Sequence, residues 1–257
     1  MNGMWQRETM ALLLIAAALP VAVIWLWFEG PAAGMRLGAV AVLAGLWHLV
    51  FMLARAQRPS FAGLVTALYV AMLAPQAGPV PLVLSISFGV VAGELVFGGW
   101  GRNVLNPATV SLAFIGFGFP AAPWPELALP VAWAAVPAAG IGMFYGVMSW
   151  RLLLAAAAVG TLAWAAGVAG VAAAAPAAAV VLIGLVADPV ASAATPLGRW
   201  LNGALYAGLA VLFAALWRDA APVQAAVAAA LLASLAAPLL DDIALALWHA
   251  ERRKRLG

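Results

Sequence analysis

Long apolar runs alternate along the chain with short breaks rich in proline, glycine and charge, and most runs are long enough to cross a bilayer as helices. After a polar lead, Met1 to Glu8, the pattern predicts spans over Met10–Phe28, Leu37–Ala54, Val80–Phe97, Leu105–Phe119, Leu127–Trp150, Leu152–Val171, Ala172–Ala187, Trp200–Trp217 and Val223–Trp248. Phe61–Leu73 is shorter and reads as a partial or tilted helix. Pro130 and Pro137 predict kinks in the sixth segment, and Pro238 with Asp241-Asp242 predicts an interruption of the last. The expectation is an all-α polytopic membrane helical bundle of about ten segments, two or three of them half-helices. It forms a single integral membrane domain over residues 1–257. The first run lacks a small-residue cleavage pattern and is expected to stay as a helix. Five segments precede Pro120 and five follow, an odd number per half, which is the arrangement of an inverted repeat.

Composition agrees with that pattern. Of 257 residues, 67% are hydrophobic and 8% charged, more apolar side chain than a soluble domain of this length could cover. There is no cysteine, which excludes disulfides, thiolate metal sites and cysteine-held iron–sulfur clusters. The two histidines, His48 and His249, are far apart in sequence and do not suggest a bis-histidine haem site, and no metal site is expected. With the N-terminus inside, ten basic residues fall on the cytoplasmic side: Arg7, Arg55, Arg58, Arg102, Arg151, Arg199, Arg252, Arg253, Lys254 and Arg255. Only Arg36 and Arg218 fall outside, so the positive-inside rule sets both termini in the cytoplasm. The basic C-terminal tail reads as an anchor beside anionic lipid rather than a nucleic-acid-binding face.

The stretch Val96–Ala108 stands out chemically. Gly98, Gly99 and Gly101 allow a tight backbone path between one helix end and the next helix start. Asn103 and Asn106 are candidate caps for the new helix, and Pro107 suits its first turn. Irregular backbone at membrane depth survives only inside protein or beside a water-filled cavity. Two readings stay open: a capped interhelical turn, or a loop built to hold a ligand. Glu94, Asp188, Asp241 and Asp242 lie in or at the edge of apolar runs, where carboxylates are costly and point to function; the alternative is a place near the cytoplasmic interface, where the charge is cheap, and that is the reading for Asp242. Glu94 could pair with Arg102 across the turn, and Asp188-Pro189 has the form of a helix cap followed by proline. Trp25, Trp100, Trp124, Trp150, Trp200, Trp217 and Trp248 fall near segment ends and read as interface anchors.

Phe97 to Ala108 resembles the Phe-Gly-Gly-x-Gly-x-Asn-x-Phe-Asn-Pro-Ala motif of a family of redox-complex subunits, with Leu105 in the second Phe position. This is the RnfD/NqrB family, which comprises the membrane subunit NqrB of the sodium-pumping NADH:quinone oxidoreductase and its counterpart RnfD of the Rnf complex. Val186 to Trp200 is similar to its Asp-Pro-Val block, and Ala237 to Asp241 to its closing Pro-Leu-x-Asp. Weaker echoes occur at Leu64–Leu68 and Ser149–Arg151. The matches run in family order.

That resemblance implies a bacterial inner-membrane subunit coupling electron transfer to translocation of Na+ or H+, with other subunits of a membrane redox complex as partners. It implies a non-covalent flavin, FMN or riboflavin, with Gly98, Gly99, Gly101, Arg102, Asn103, Asn106, Pro107, Asp188 and Thr195 as the residues near it. The family's covalent FMN attachment sequence, Ser/Thr-Gly-Ala-Thr, has no counterpart between Pro120 and Trp150, where there is no threonine. Ser192 to Thr195 resembles it only superficially, since its register assigns Thr195 to the Asp-Pro block; covalent FMN is expected to be absent. The family's lysine before Phe-Gly-Gly is replaced in this neighbourhood by Glu94. Two other functions compete: a solute or ion channel or carrier without redox chemistry, and an assembly scaffold for flavoprotein partners.

Overall fold

The computed structural model describes residues 7–56, 60–217 and 219–256. Arg58, Arg218 and the first residues of the polar lead lie outside the described residues, as does the side chain of Arg255. The described residues form an all-α bundle. Its helices are α1 (Arg7–Glu29), α2 (Pro31–Arg55), α3 (Ala62–Leu73), α4 (Pro79–Gly93), α5 (Pro107–Gly118), α6 (Leu129–Phe144), α7 (Trp150–Ala165), α8 (Val171–Val181), α9 (Pro196–Leu216) and α10 (Pro222–Leu256). A short 3₁₀ turn, Leu95–Phe97, follows α4, and a π-helical stretch, Leu182–Val186, extends α8.

Among the described residues, five helices are long and apolar enough to cross a membrane: α1, α2, α4 with its 3₁₀ turn, α9 and α10. α3 is as short as its run predicts, whereas α6 and α7 end before their apolar runs do, and the reason lies in their ends. The sixth segment stops at Phe144, not Trp150, because Gly146 takes φ 72° and the N–H groups of Val147 and Met148 turn back to the Gly142 carbonyl at 2.9 and 3.0 Å. Gly167, φ 70°, ends α7 in the same way, with the Val168 N–H on the Ala163 carbonyl. Conversely, α10 is not interrupted. It runs 35 residues through Pro238, which removes only the N–H that would have met the Ser234 carbonyl.

The two halves pack alike. In the first, α1 packs on α3, α2 on α3 and α4, and α5 on α3 and α4; in the second, α6 packs on α8, α7 on α8 and α9, and α10 on α8 and α9. The halves meet through α1 against α6, α5 against α10, and α3 against the π stretch. The twelve residues of α3 are buried on all sides except at Leu64 and Val65, as an all-round apolar helix must be.

Glycine sets the closest approaches. Gly89 and Gly93, one turn apart on α4, let the start of α5 lie against the helix: a Cβ on Gly89 would overlap the Ser111 side chain. Gly184 in the π stretch accepts the ring of Tyr69, and Gly203 on α9 faces the carbonyl of Leu152 on α7. Gly203→Ala must push α7 and α9 apart. We expect it to cost about 1–3 kcal/mol in thermal or denaturant unfolding of the detergent-purified protein. Gly208→Ala, where a Cβ meets open space, should leave stability unchanged.

Candidate functional site

The site begins where α4 ends. Glu94 leaves the helix at φ −130°, and Gly98, Gly99 and Gly101 at φ 104°, 91° and 94° turn the chain back on itself. The N–H groups of this turn are all used within it. Gly98 donates to the Leu95 carbonyl and Gly99 to that of Glu94, both at 3.1 Å. Trp100 donates to the Glu94 carboxylate at 3.0 Å, and Gly101 to the Asn103 side chain at 3.0 Å. Arg102 donates to the Gly99 carbonyl at 3.2 Å. No N–H from 98 to 102 is left to cradle a phosphate; the glycines close the loop around a carboxylate of the chain itself. The side chains of Arg7 and Arg102 lie across Gly99 and Gly98 at the outer edge.

Of the two candidate caps, Asn106 does the work. Its side chain accepts from the Ala108 and Thr109 N–H groups, with Pro107 in the first turn of α5. Asn103 is not a cap. It braces the turn, accepting from Gly101 and donating to the Leu105 carbonyl at 2.9 Å.

The free end of the Asn106 amide then reaches across the bundle. Its Nδ2 donates to Asp188 Oδ2 at 2.8 Å, both side chains being buried. This bond joins the two polar connections. Asp188 does not cap a helix, as its Pro-following form suggested. Its Oδ1 accepts the Val190 N–H at 2.9 Å within a turn, and α9 starts later, capped by Thr195. Thr195 does not line the shared cavity. Its N–H and hydroxyl donate to Asp241, which also accepts the Ala194 N–H at 2.8 Å. Asp241 therefore ties α10 to the start of α9, while Asp242 is exposed.

Beside the Asn106–Asp188 bond lies a small cavity of about 20 Å³, lined by Thr66, Tyr69, Trp100, Asn106, Pro107, Gly184 and Asp188 among others. It has room for water-sized occupants. A flavin ring needs a pocket of several hundred Å³, so the junction does not fit the flavin that the resemblance implies. The Tyr69 hydroxyl is buried in the wall of this cavity without a partner among the described residues.

Glu94 does not pair with Arg102. It is 0% exposed, and its Oε1 takes a hydrogen bond with His48 Nε2 at 3.1 Å. His48 was missed as a site residue. A histidine in an apolar span was a visible signal, but its partner stands 46 residues away and no local spacing connects them. Trp25 and Trp100 are buried rather than interfacial; Trp150 and Trp200 are exposed and meet edge to face at 5.6 Å, which joins the starts of α7 and α9. Among the described residues, no group of three His, Cys, Asp or Glu side chains could hold a metal ion.

Residues 3–128 match the model of the NQR2, RnfD, RnfE family. The chain is 40% identical over 83 residues to the B subunit of the Na(+)-translocating NADH-quinone reductase of Yersinia pestis, a stretch covering 32% of this chain and 20% of that protein. It is 34% identical over 112 residues to the protein of the same name from Stutzerimonas stutzeri (strain A1501), covering 43% of this chain and 27% of that one. The matched stretches thus span about a fifth to a quarter of these relatives' length. These findings support membership of the NQR2, RnfD, RnfE family, carried by the first half of the chain. The Asp188 and Asp241 blocks lie beyond the family match.

Removing the Asn106 side chain takes away a helix cap and strands the Asp188 carboxylate. We expect Asn106→Ala to cost about 2–4 kcal/mol. A double-mutant cycle with Asp188→Ala, read by thermal unfolding, should return a coupling of about 1–3 kcal/mol between the two side chains. Additive losses would mean the bond does not hold the junctions together.

Proposed function

We propose that the chain, a member of the NQR2, RnfD, RnfE family by its first half, is a membrane subunit of an Nqr/Rnf-type electron-transport complex. Its part is to pass a small cation through the joined polar connections while partner subunits carry the electrons. The observation that carries this reading is the buried Asn106–Asp188 bond, which brings a carboxylate from the second half of the chain against the Asn-Pro junction of the first. A carboxylate buried at membrane depth marks a functional site by default, and ion pathways are one such use. An electron placed in a low-dielectric region creates charge that a moving cation offsets, a reason to keep both processes in one complex.

The chain acts as one integral membrane domain of the bacterial inner membrane with both termini in the cytoplasm, a topology supported by its arginine distribution. Its partners are the other subunits of the complex and the lipid bilayer. It carries no covalent FMN, since the attachment sequence is missing, and the flavin of the complex is assigned away from the Gly98–Pro107 junction, where the space is too small. The same two observations favour a second reading, an ion or solute carrier that works on this scaffold without redox partners.

Reconstitution in liposomes separates these readings. With co-purified partners and a reductant, cation uptake should follow electron flow. Asp188→Asn should abolish the uptake while the subunits still co-purify. Flux through the full chain alone, with no redox partner and no flavin, would transfer the case to the carrier. Flavin absorbance held by the isolated chain and lost on substitution within the Gly98–Pro107 junction would overturn the placement of the cofactor.

A further inference from the structure

The connection 94–106 buries a second polar pair that the proposed pathway does not use, His48 with Glu94. The His48 hydrogen bonds define what the pair can hold. Nδ1 lies 2.8 Å from the Ala44 carbonyl, which can only accept, so Nδ1 carries a hydrogen. Nε2 lies 3.1 Å from Glu94 Oε1. If neither atom carried a proton, two lone pairs would face each other in a buried site, with a net negative charge on the pair. A single proton between them removes both penalties: imidazolium with carboxylate, or imidazole with carboxylic acid, is neutral overall.

The surroundings suit a proton and not a metal ion. Oε1 already shares a hydrogen bond with His48 Nε2 and accepts from the Trp100 N–H, so these two groups occupy the approach that a hard cation would need free. Such cations seek several oxygen ligands. Only Oε2 is unused, and it has no polar neighbour within hydrogen-bond reach among the described residues. The charged groups acting on the pair are the Arg7 guanidinium from α1 and the Asp188 carboxylate from the α8–α9 connection; α3 presents Gly63 to the imidazole. Arg7 adds a positive charge that further disfavours a metal cation.

The geometry points to a one-proton site, shared by His48 Nε2 and Glu94 Oε1, that makes the ion held at this turn H+ and not Na+. The inference rests on the reading of the chain as an ion-handling subunit and names the ion at Glu94, whereas the two relatives reported above are named for Na+.

The test needs no transport. His249→Gln changes an exposed tail residue and leaves His48 as the single imidazole. The full-length variant, labelled with ¹⁵N-histidine in lipid nanodiscs, is titrated by NMR in sodium chloride and in choline chloride at equal ionic strength. Nδ1 should stay protonated throughout, and the proton affinity should be the same in both salts. Adding Glu94→Gln should weaken proton binding by about tenfold or more. A bare Nδ1, or an affinity that falls as sodium rises, overturns the proposal, as does an unchanged titration in the Gln variant. If that variant does not fold, the salt comparison in His249→Gln decides alone. Loss of liposome flux with this titration intact would sink the transport reading and leave the proton site standing.

Discussion

A backbone that leaves helical geometry inside an apolar medium must find every hydrogen bond within the protein. In this chain the demand falls on two connections, 94–106 and 187–195, and each answers it with a carboxylate or carboxamide. Glu94 takes the Trp100 N–H, Asn103 the Gly101 N–H, Asn106 the first N–H groups of α5, and Asp188 the Val190 N–H. The Asn106–Asp188 bond then satisfies one connection with the other. The close approach that this needs is made by glycine: Gly89 and Gly93 bring α5 onto α4, and Gly184 lets the π stretch meet Tyr69. Side chains at those positions would collide with Ser111, Pro107 and Tyr69 and force the elements apart.

The parallel packing of the halves gives this junction its position. Each half buries one short central helix, α3 or α8 with its π stretch, between longer ones, and these central elements meet. The ends of short helices are where backbone polarity is exposed. Here the α4–α5 connection meets the turn that follows the π stretch of α8, so the polar groups of both halves are paired in the interior, next to a cavity that accepts only small occupants.

How much of this was legible depended on range. Run length revealed the bundle, and local chemistry revealed the Asn106 cap, the Pro107 start and the three left-handed glycines, because the partners in each lie within a few residues. Helix ends inside apolar runs were not visible: Gly146 and Gly167 stop α6 and α7, yet glycine is common within membrane helices and the runs continue past both. Pro238 misled in the opposite sense, since a long helix in a bundle tolerates the loss of one bond. The pairing of Glu94 was misread because Arg102 is near in sequence, whereas His48 is near in space. The Asp188 role followed the same logic: its proline suggested a local cap, and its decisive partner is 82 residues away. The tryptophans at segment ends were read by position alone, and burial of Trp25 and Trp100 depended on what packs over them.

The two buried carboxylates differ in how their charge is balanced, and under the proposed function that difference assigns them different work. Glu94 has a basic partner in direct contact, so with one proton the pair is neutral and needs nothing from outside. Asp188 has hydrogen-bond donors, Asn106 and the turn N–H, but among the described residues no ion pair reaches it. Dipoles soften the cost of a buried charge without cancelling it. A carboxylate in that state gains from any cation small enough to enter the adjoining cavity, and it holds that cation less firmly than a fixed arginine would be held, since the cation can leave. The group without a resident counter-ion is therefore the one suited to a passing ion, and the neutral His48–Glu94 pair beside it fixes the shape of the turn without competing for that ion.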